Sequence, residues 1–397
     1  MDTREVLRGA WSVVPFVLSL PLLWVAGVRR RSASQPWVIG GHRGRMYEDN
    51  AGELHRWVRA NTDQRIVWIA NEGPVLEQLR AQGHEVAVRN SLAARLLLLR
   101  APVAIYSHGE DDLDTLMLFM RRMLGLRVYL NHSMNVIKAG QVMDPGYRRA
   151  SALGRWFRRW TMTDFDVLLP SSEHEAANFR RSFPHRADRV RGGGGGAHID
   201  SFLRLRQRTP ERVIYYFPTQ RDDATGRALL ERTLRDLVSN EELRAWLVAG
   251  GWTFRVGAHI NTGSHALQVT APFELSSLHN LKRDLGEAAV FISDYSGLTA
   301  NFLLLDRPLI YFPFDWDNYR QHRNLYEDLE TWAAGPLCRD LPSLVATLAS
   351  EAWADDARWA PRREAWRGKL YPSLEEGYAA ASHAAIVALL APQGTDA

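Results

Sequence analysis

Short apolar runs rich in β-branched and aromatic residues recur along this chain, separated by stretches in which apolar residues return every three or four positions. The first series comprises WVIGG from Trp37, RIVWIA from Arg65, EVAVRN from Glu85, PVAIYS from Pro102, RVYLN from Arg127 and DVLLPS from Asp166. A second series comes after it: RVIYYF from Arg212, WTFRVGA from Trp252, AVFIS from Ala289 and PLIYFPF from Pro308. Between them lie amphipathic stretches such as GELHRWVRA, DTLMLFMRRML and ALLERTLRDLV. Continuous apolar strands alternating with helices indicate parallel sheets covered on both faces. Two such series predict an α/β protein with two Rossmann-like units. The pattern divides the chain into residues 1–31, 32–200, 201–375 and a terminal helix and tail over 376–397. The break between the units is expected near Gly192–Gly196, since five successive glycines do not suit the interior of a strand or helix. That run reads either as a flexible connection or as a loop whose backbone closely approaches a ligand.

Ahead of the first series, Gly9–Val28 carries no charge and is followed by Arg29, Arg30 and Arg31. Its length of about 20 residues just suffices to span a bilayer, while Pro15 and Pro21 would kink a helix there. A kinked span and a segment lying in the interface are both open readings. The arginines after the segment place the body of the chain on the cytoplasmic side of a cell membrane. They also stand on the wrong side for a cleaved signal peptide.

Composition narrows the chemistry. The net charge of +4 is carried almost wholly by arginine, with Lys138, Lys282 and Lys369 the only lysines. Arginine forks match phosphate oxygens, so a phosphorylated ligand or an anionic surface suits this chain. The basic residues are scattered, which argues against a nucleic-acid partner. A single cysteine, Cys338, excludes an intramolecular disulfide and a CxxC knuckle, and no spacing of a metal site is recognisable. Asp111, Asp112 and Asp114 in GEDDLD read as a solvated helix start.

The informative pattern lies at the end of each strand. PVAIYS leads into His108-Gly109, RVYLN into His132, RVIYYF into Pro218-Thr219 with Arg221 behind, WTFRVGA into His259, and AVFI into Ser293-Asp294-Tyr295-Ser296-Gly297. Ligands of open α/β sheets bind beyond the carboxyl ends of the strands. Hydroxyls and imidazoles gathered along that edge therefore stand where a ligand would sit. A helix starting near Ser296 would offer free N–H groups to a pyrophosphate, although Ser and Asp also cap helices with no ligand present.

Taken together, these segments resemble the CDP-glycerol glycerophosphotransferase family, the teichoic-acid primases and polymerases. GGHRGRMYEDN looks like its opening motif at Gly44, Tyr47, Asp49 and Asn50. YLNHSMNVIKAG is similar to its histidine segment at His132, Lys138 and Gly140, and YYFPTQRDD matches at Pro218, Thr219, Arg221 and Asp222. FRVGAHI places His259 on the second characteristic histidine, ISDYSGLTANF resembles its Thr-Asp-Tyr-Ser-Ser signature, and YRQHRNLYED its late motif at Tyr319, Arg323, Tyr326 and Asp328. GGAHID keeps Asp200 of another motif but has His198 where the family carries arginine.

The resemblance implies a GT-B-like fold and transfer of glycerol phosphate, or a related polyol phosphate, from a CDP-linked donor to a lipid-linked or cell-surface glycan precursor, with release of CMP and no cofactor. It implies His132 as the base for the acceptor hydroxyl. His259, Arg221, Arg323 and the Ser293–Gly297 turn would neutralise the pyrophosphate, with Lys138, His108, Asp49, Asn50 and Asp200 as further candidates. Two alternatives stand beside this reading: a sugar transferase using a nucleotide sugar on the same scaffold, and a non-catalytic glycan-binding or assembly subunit. Primase or polymerase action, the polyol, the acceptor and the oligomeric state are left open by the sequence.

Overall fold

The computed structural model describes residue 25 and residues 34–132, 136–221, 223–258 and 267–391. Strands β1 (Trp37–Gly40), β2 (Ile66–Ala70), β3 (Val86–Val88), β4 (Val103–Tyr106) and β5 (Leu126–Tyr129) fall on the apolar runs of the first series. After the two-residue β6 (Lys138–Ala139), β7 (Val167–Leu168) completes that sheet, whose order is β3-β2-β1-β4-β5-β7 with every pairing parallel. A second parallel sheet runs β10-β9-β8-β11-β12, from β8 (Glu211–Tyr216), β9 (Thr253–Ala258), β10 (Phe273–Ser277), β11 (Ala288–Ser293) and β12 (Leu309–Tyr311).

Burial on both faces explains why the strands read as unbroken apolar runs. In β1, Val38 joins the core on one side of the first sheet, while Trp37 and Ile39 join the core on the other. In β8, Tyr215 packs with Phe291 and Trp332, while Ile214 and Tyr216 pack with Leu234 and Leu344 on the opposite face. Each such side chain taken fully out of water contributes about 1.5–3 kcal/mol before conformational entropy is set against it. β10, with the sequence FELSS, is an edge strand exposing Glu274 and Leu275, and its mixed polarity hides it from the apolar pattern.

The two sheets are laced together. The strand β13 (Asn324–Leu325), from the second half of the chain, pairs antiparallel with β6 from the first. The helix Tyr378–Leu390 packs on the helix Asp49–Asn61, putting Ala379 and Ile386 into the core of the first sheet. Asp200 fixes that return: its carboxylate accepts the backbone N–H groups of Gly377, Tyr378 and Ala379 at 2.9, 3.0 and 2.9 Å, as an N-terminal cap does. The glycine run is neither strand nor helix. A Cβ on Gly195 would lie 1.8 Å from the Leu169 carbonyl oxygen, so the run is a close backbone crossing against the end of β7.

The expected membrane-attachment segment is corrected here. No helix among the described residues is long and apolar enough to cross a membrane. The stretch 1–31 itself lies outside the described residues except for Val25. The fold class is α/β with two parallel sheets.

Candidate functional site

Both sheets are doubly wound: β1 is flanked by β2 and β4, and β8 by β9 and β11, so the chain reverses direction across the sheet at each of these strands. The carboxyl ends of β1 and β4, and of β8 and β11, are therefore the places where a crevice opens. The residues that the sequence puts there are informative.

At the first switch point, β1 ends in Gly40-Gly41-His42 and β4 in Ser107-His108. The His42 and His108 rings lie 3.9 Å apart between centroids, and His132, exposed after β5, stacks on His108 at 4.3 Å and 20°. Asp49 closes the column from the far end by accepting a hydrogen bond from His42 Nε2. The backbone is tightly constrained here: His42, Arg43, Asp49 and Asn131 all adopt positive φ, between 50° and 61°. Such conformations are costly for residues with a Cβ and gather where geometry is set for function. Asp112 supports the loops from below. Its buried carboxylate accepts the backbone N–H groups of Arg43 at 2.7 Å, Ser107 at 3.0 Å and His108 at 2.7 Å. Thus GEDDLD, expected to be a solvated helix start, holds three buried carboxylates, Glu110, Asp112 and Asp114, the last paired to Arg95 at 2.8 Å.

The charges in this column differ from ring to ring. Burial alone would lower the His42 pKa, but the hydrogen bond and charge of Asp49 outweigh it and raise it. Burial likewise opposes ionisation of Asp49, yet the hydrogen bond and charge of His42, foremost among the neighbouring imidazoles, hold it well below the usual carboxylate range. His108 is pushed down by burial and by its two histidine neighbours, so it stays neutral. Its Nδ1 accepts the backbone N–H of His42 at 3.2 Å, which places its proton on Nε2. Among the described residues, His42, Asp49 and His108 form the one grouping whose ligand atoms lie close enough for a cation, within 4.8 Å. With His108 Nδ1 occupied and Asp49 taken up by His42, these atoms serve one another, and the set reads as a hydrogen-bonded cluster.

At the second switch point the polar residues are buried. Arg221 is 1% exposed; its Nε and Nη2 donate to Asp315 at 2.6 and 2.7 Å, and Nη2 also donates to Asp294 at 2.8 Å. Asp294 in turn accepts the backbone N–H groups of Thr219 at 2.9 Å and Tyr295 at 2.6 Å. Tyr295 donates to Asp315 at 3.2 Å and stacks on Tyr319 at 3.7 Å. Burial opposes the Arg221 charge, but the carboxylates of Asp294 and Asp315 hold its pKa above the ordinary value. The sequence placed Arg221, Asp294 and Tyr295 against a pyrophosphate. The structure makes them a closed network that shapes the β8 and β11 loops, with Pro218 and Thr219 buried beside it. Ser293 is also buried and donates to the Phe217 carbonyl at 2.8 Å. Ser296 and Gly297 are the accessible members of the turn. The helix they lead into, Leu298–Leu303, has six residues, so its dipole is modest.

Asn50 joins the two switch points. Its Nδ2 donates to the carbonyls of Leu130 and Asn131 at 3.1 and 2.9 Å, fixing the segment that presents His132. Its Oδ1 accepts the His198 backbone N–H at 2.9 Å and the His198 Nδ1–H at 2.7 Å. On its other side, His198 Nε2 meets Asn301 Oδ1 at 3.1 Å on the helix that follows Ser296-Gly297. Burial pushes the His198 pKa down, consistent with a neutral ring. Arg323 is half-buried and pairs with Asp144 at 3.3 Å across the same divide, while Tyr326 N–H donates to the Ile137 carbonyl at 2.9 Å. Lys138 sits on β6. Asp222 and His259 lie outside the described residues. His42 and His198 escaped the sequence reading as site residues. His42 follows an apolar strand through glycine, which is the same signal that marked His108.

The family model described as CDP-Glycerol:Poly(glycerophosphate) glycerophosphotransferase matches residues 29–381. A teichoic acid ribitol-phosphate primase of Bacillus spizizenii is 28% identical over 173 residues, 41% of this chain and 42% of the primase. A teichoic acid poly(glycerol phosphate) polymerase of Bacillus subtilis (strain 168) is 26% identical over 211 residues, 47% of this chain and 27% of the polymerase. The chain thus spans less than half of each of these two relatives. Among solved structures, the wall teichoic acid polymerase TagF superposes with a TM-score of 0.67 over 98% of both chains at 17% identity, a likeness of fold. A variant of that polymerase soaked with CDPG gives 0.68 at 16% identity, over 98% of this chain and 97% of the other.

Proposed function

The chain belongs to the CDP-glycerol:poly(glycerophosphate) glycerophosphotransferase family, a family of enzymes, and on that premise we propose that it transfers glycerol phosphate or ribitol phosphate from a CDP-linked donor to a hydroxyl of a lipid-linked or cell-surface glycan precursor, releasing CMP. One observation carries this reading: the imidazole column at the first switch point and the Ser296-Gly297 turn at the second are tied together by the Asn50–His198–Asn301 strut. That linkage supports reading the imidazoles and the accessible hydroxyl turn as parts of one site.

In the proposed reaction the acceptor oxygen bonds to the donor's β-phosphorus. The bond from that phosphorus to the bridging oxygen breaks, and its electron pair leaves with CMP. The acceptor proton passes to His132, which is exposed and stacks on the neutral ring of His108. The Asp49 carboxylate, which interacts with His132, favours the imidazolium as it forms. Ser296 and Gly297 face the donor phosphates, with His259 and Arg323 as the flanking candidates that the family motifs suggest. Arg221 acts as a positioning residue that holds Asp294 and the Thr219 backbone in place.

The test is a donor panel of CDP-glycerol, CDP-ribitol and UDP-sugars with purified protein and a glycan-lipid acceptor, following CMP and UDP release. CMP release with polyol phosphate incorporated into the acceptor is expected. His132→Ala should lower turnover by about 100-fold or more, the scale of a lost general base, with the melting temperature unchanged. UDP release with sugar transfer would establish the nucleotide-sugar alternative instead, and inertness toward every donor would favour the non-catalytic one.

A further inference from the structure

An exposed histidine that serves as a base needs its ring held. Exposed side chains hop between rotamers in picoseconds to nanoseconds, and a reacting group misplaced by about 1 Å loses about 100-fold in rate. His132 is exposed on the loop after β5. Its backbone is fixed: Asn50 Nδ2 donates to the Leu130 and Asn131 carbonyls at 3.1 and 2.9 Å, and Asn131 is set at a φ of 61°. Those contacts aim the loop but do not reach the imidazole.

The imidazole instead meets His108 face to face, with centroids 4.3 Å apart and planes 20° from parallel. That partner is itself tightly held. His108 is half-buried, and its backbone N–H donates to the buried Asp112 carboxylate at 2.7 Å. Its Nδ1 accepts the His42 backbone N–H at 3.2 Å and lies 3.1 Å from Ser107 Oγ. The His42 ring, tied to Asp49, packs against it at 3.9 Å. The segments after β1 and β4 and the turn Glu110–Asp112 thus fix the plane of the His108 ring. A fixed flat ring favours the rotamer of its neighbour in which the two faces stack. The N–H groups and lone pairs of an imidazole lie in the ring plane, so rings that meet by their faces pass no proton between them. We infer that His108 is a positioning residue: its fixed ring is the platform that holds the His132 imidazole in the orientation that receives the acceptor proton. The inference rests on the reading of His132 as the base, and it gives His108 no proton to carry.

The experiment compares His108→Ala with His108→Phe in the full chain. Both keep the backbone N–H that Asp112 accepts. Alanine removes the stacking face, while phenylalanine keeps a flat ring without a titratable nitrogen. With the donor selected by the panel above, His108→Ala should lower kcat about 10-fold at unchanged donor KM, and His108→Phe should stay within about threefold of the original chain. A proton carrier would be lost equally in both, so equal impairment of the two variants would overturn the proposal. So would an alanine variant of undiminished kcat. NMR of ring-labelled histidine reads the stack without any turnover. The His132 ring protons, shielded by the His108 ring current, should move toward free imidazole values in His108→Ala and remain shielded in His108→Phe. His132 resonances unmoved by His108→Ala would also overturn the proposal. Normal turnover by His132→Ala is a separate result: it would refute the base assignment, while the ring-current shift would still report whether His108 holds that ring.

Discussion

At the scale of single residues, the pairing of His42 with Asp49 sets the electrostatics of the imidazole column. The raised pKa of His42 means that its contribution to stability is full below the free imidazole value of about 6.5 and is lost as pH rises through the higher folded value. The lowered pKa of Asp49 has the opposite sense. Its contribution is present above the free carboxylate value of about 3.9 and is lost as pH falls through the folded value. The pair therefore supports the folded state most between these limits and fades on both sides. Asp49→Asn removes the charge that raises His42 while keeping the shape. Titration of the imidazole resonances by NMR should show the His42 pKa falling by about 1 to 3 pH units, with His108 neutral throughout the accessible range. An unmoved His42 would mean that another group sets its proton affinity. The sequence revealed three of the four members of this column: His108, His132 and Asp49 were visible as strand-end or motif residues. Their stacking order, and the inclusion of His42, depend on β1 and β4 lying side by side although they are some sixty residues apart in sequence.

At the scale of elements, the β8 and β11 loops show how a phosphate-binding signature conceals a structural network. An arginine beside Thr, Ser and Asp reads naturally as a phosphate clamp, because Asp294 and Asp315 are 73 and 94 residues distant from Arg221 in the chain. Brought together and buried, the three saturate one another. Replacing Arg221 by alanine would leave two carboxylates buried without their cation, which costs about 3–5 kcal/mol. The expected readout is a large drop in thermal or denaturant midpoint. Arg221→Lys keeps the charge but loses the fork, and should fall between the two. A variant as stable as the original chain but with weakened donor affinity would return Arg221 to direct phosphate contact. The strands themselves were legible because parallel, doubly covered strands are apolar throughout. β10 was not, since an edge strand tolerates FELSS, nor was β6–β13, whose two-residue ladder leaves no periodicity to read.

At the scale of the whole molecule, the chain is interlocked, and this bears on how the cleft is kept in register. The last helix, Tyr378–Leu390, leaves the second sheet and packs Ala379 and Ile386 beside Leu54 and Trp37 of the first. Its start is held by Asp200, and Arg204 nearby pairs with Glu376 at 2.7 Å and Glu53 at 3.0 Å. Glu53 also accepts from Lys282 at 3.0 Å, so one buried carboxylate collects cations from two distant segments on the helix that carries Asn50. Burial opposes its ionisation, but Lys282 and Arg56 hold its pKa down at about 2. Removing residues 377–397 would therefore do more than shorten the chain. It would uncover the apolar face of the helix Asp49–Asn61 and leave the Asp200 carboxylate without its three N–H partners. Hydrogen exchange should then show protection lost along Asp49–Asn61 and in the His198–Arg206 helix, at opposite ends of the Asn50–His198 contact, while β8 and β11 keep theirs. Because that contact fixes the Asn131 carbonyl ahead of His132, turnover should fall with the same truncation even though no catalytic candidate is deleted. Retained protection of Asp49–Asn61 would show that the terminal helix is dispensable to the register between the two switch points.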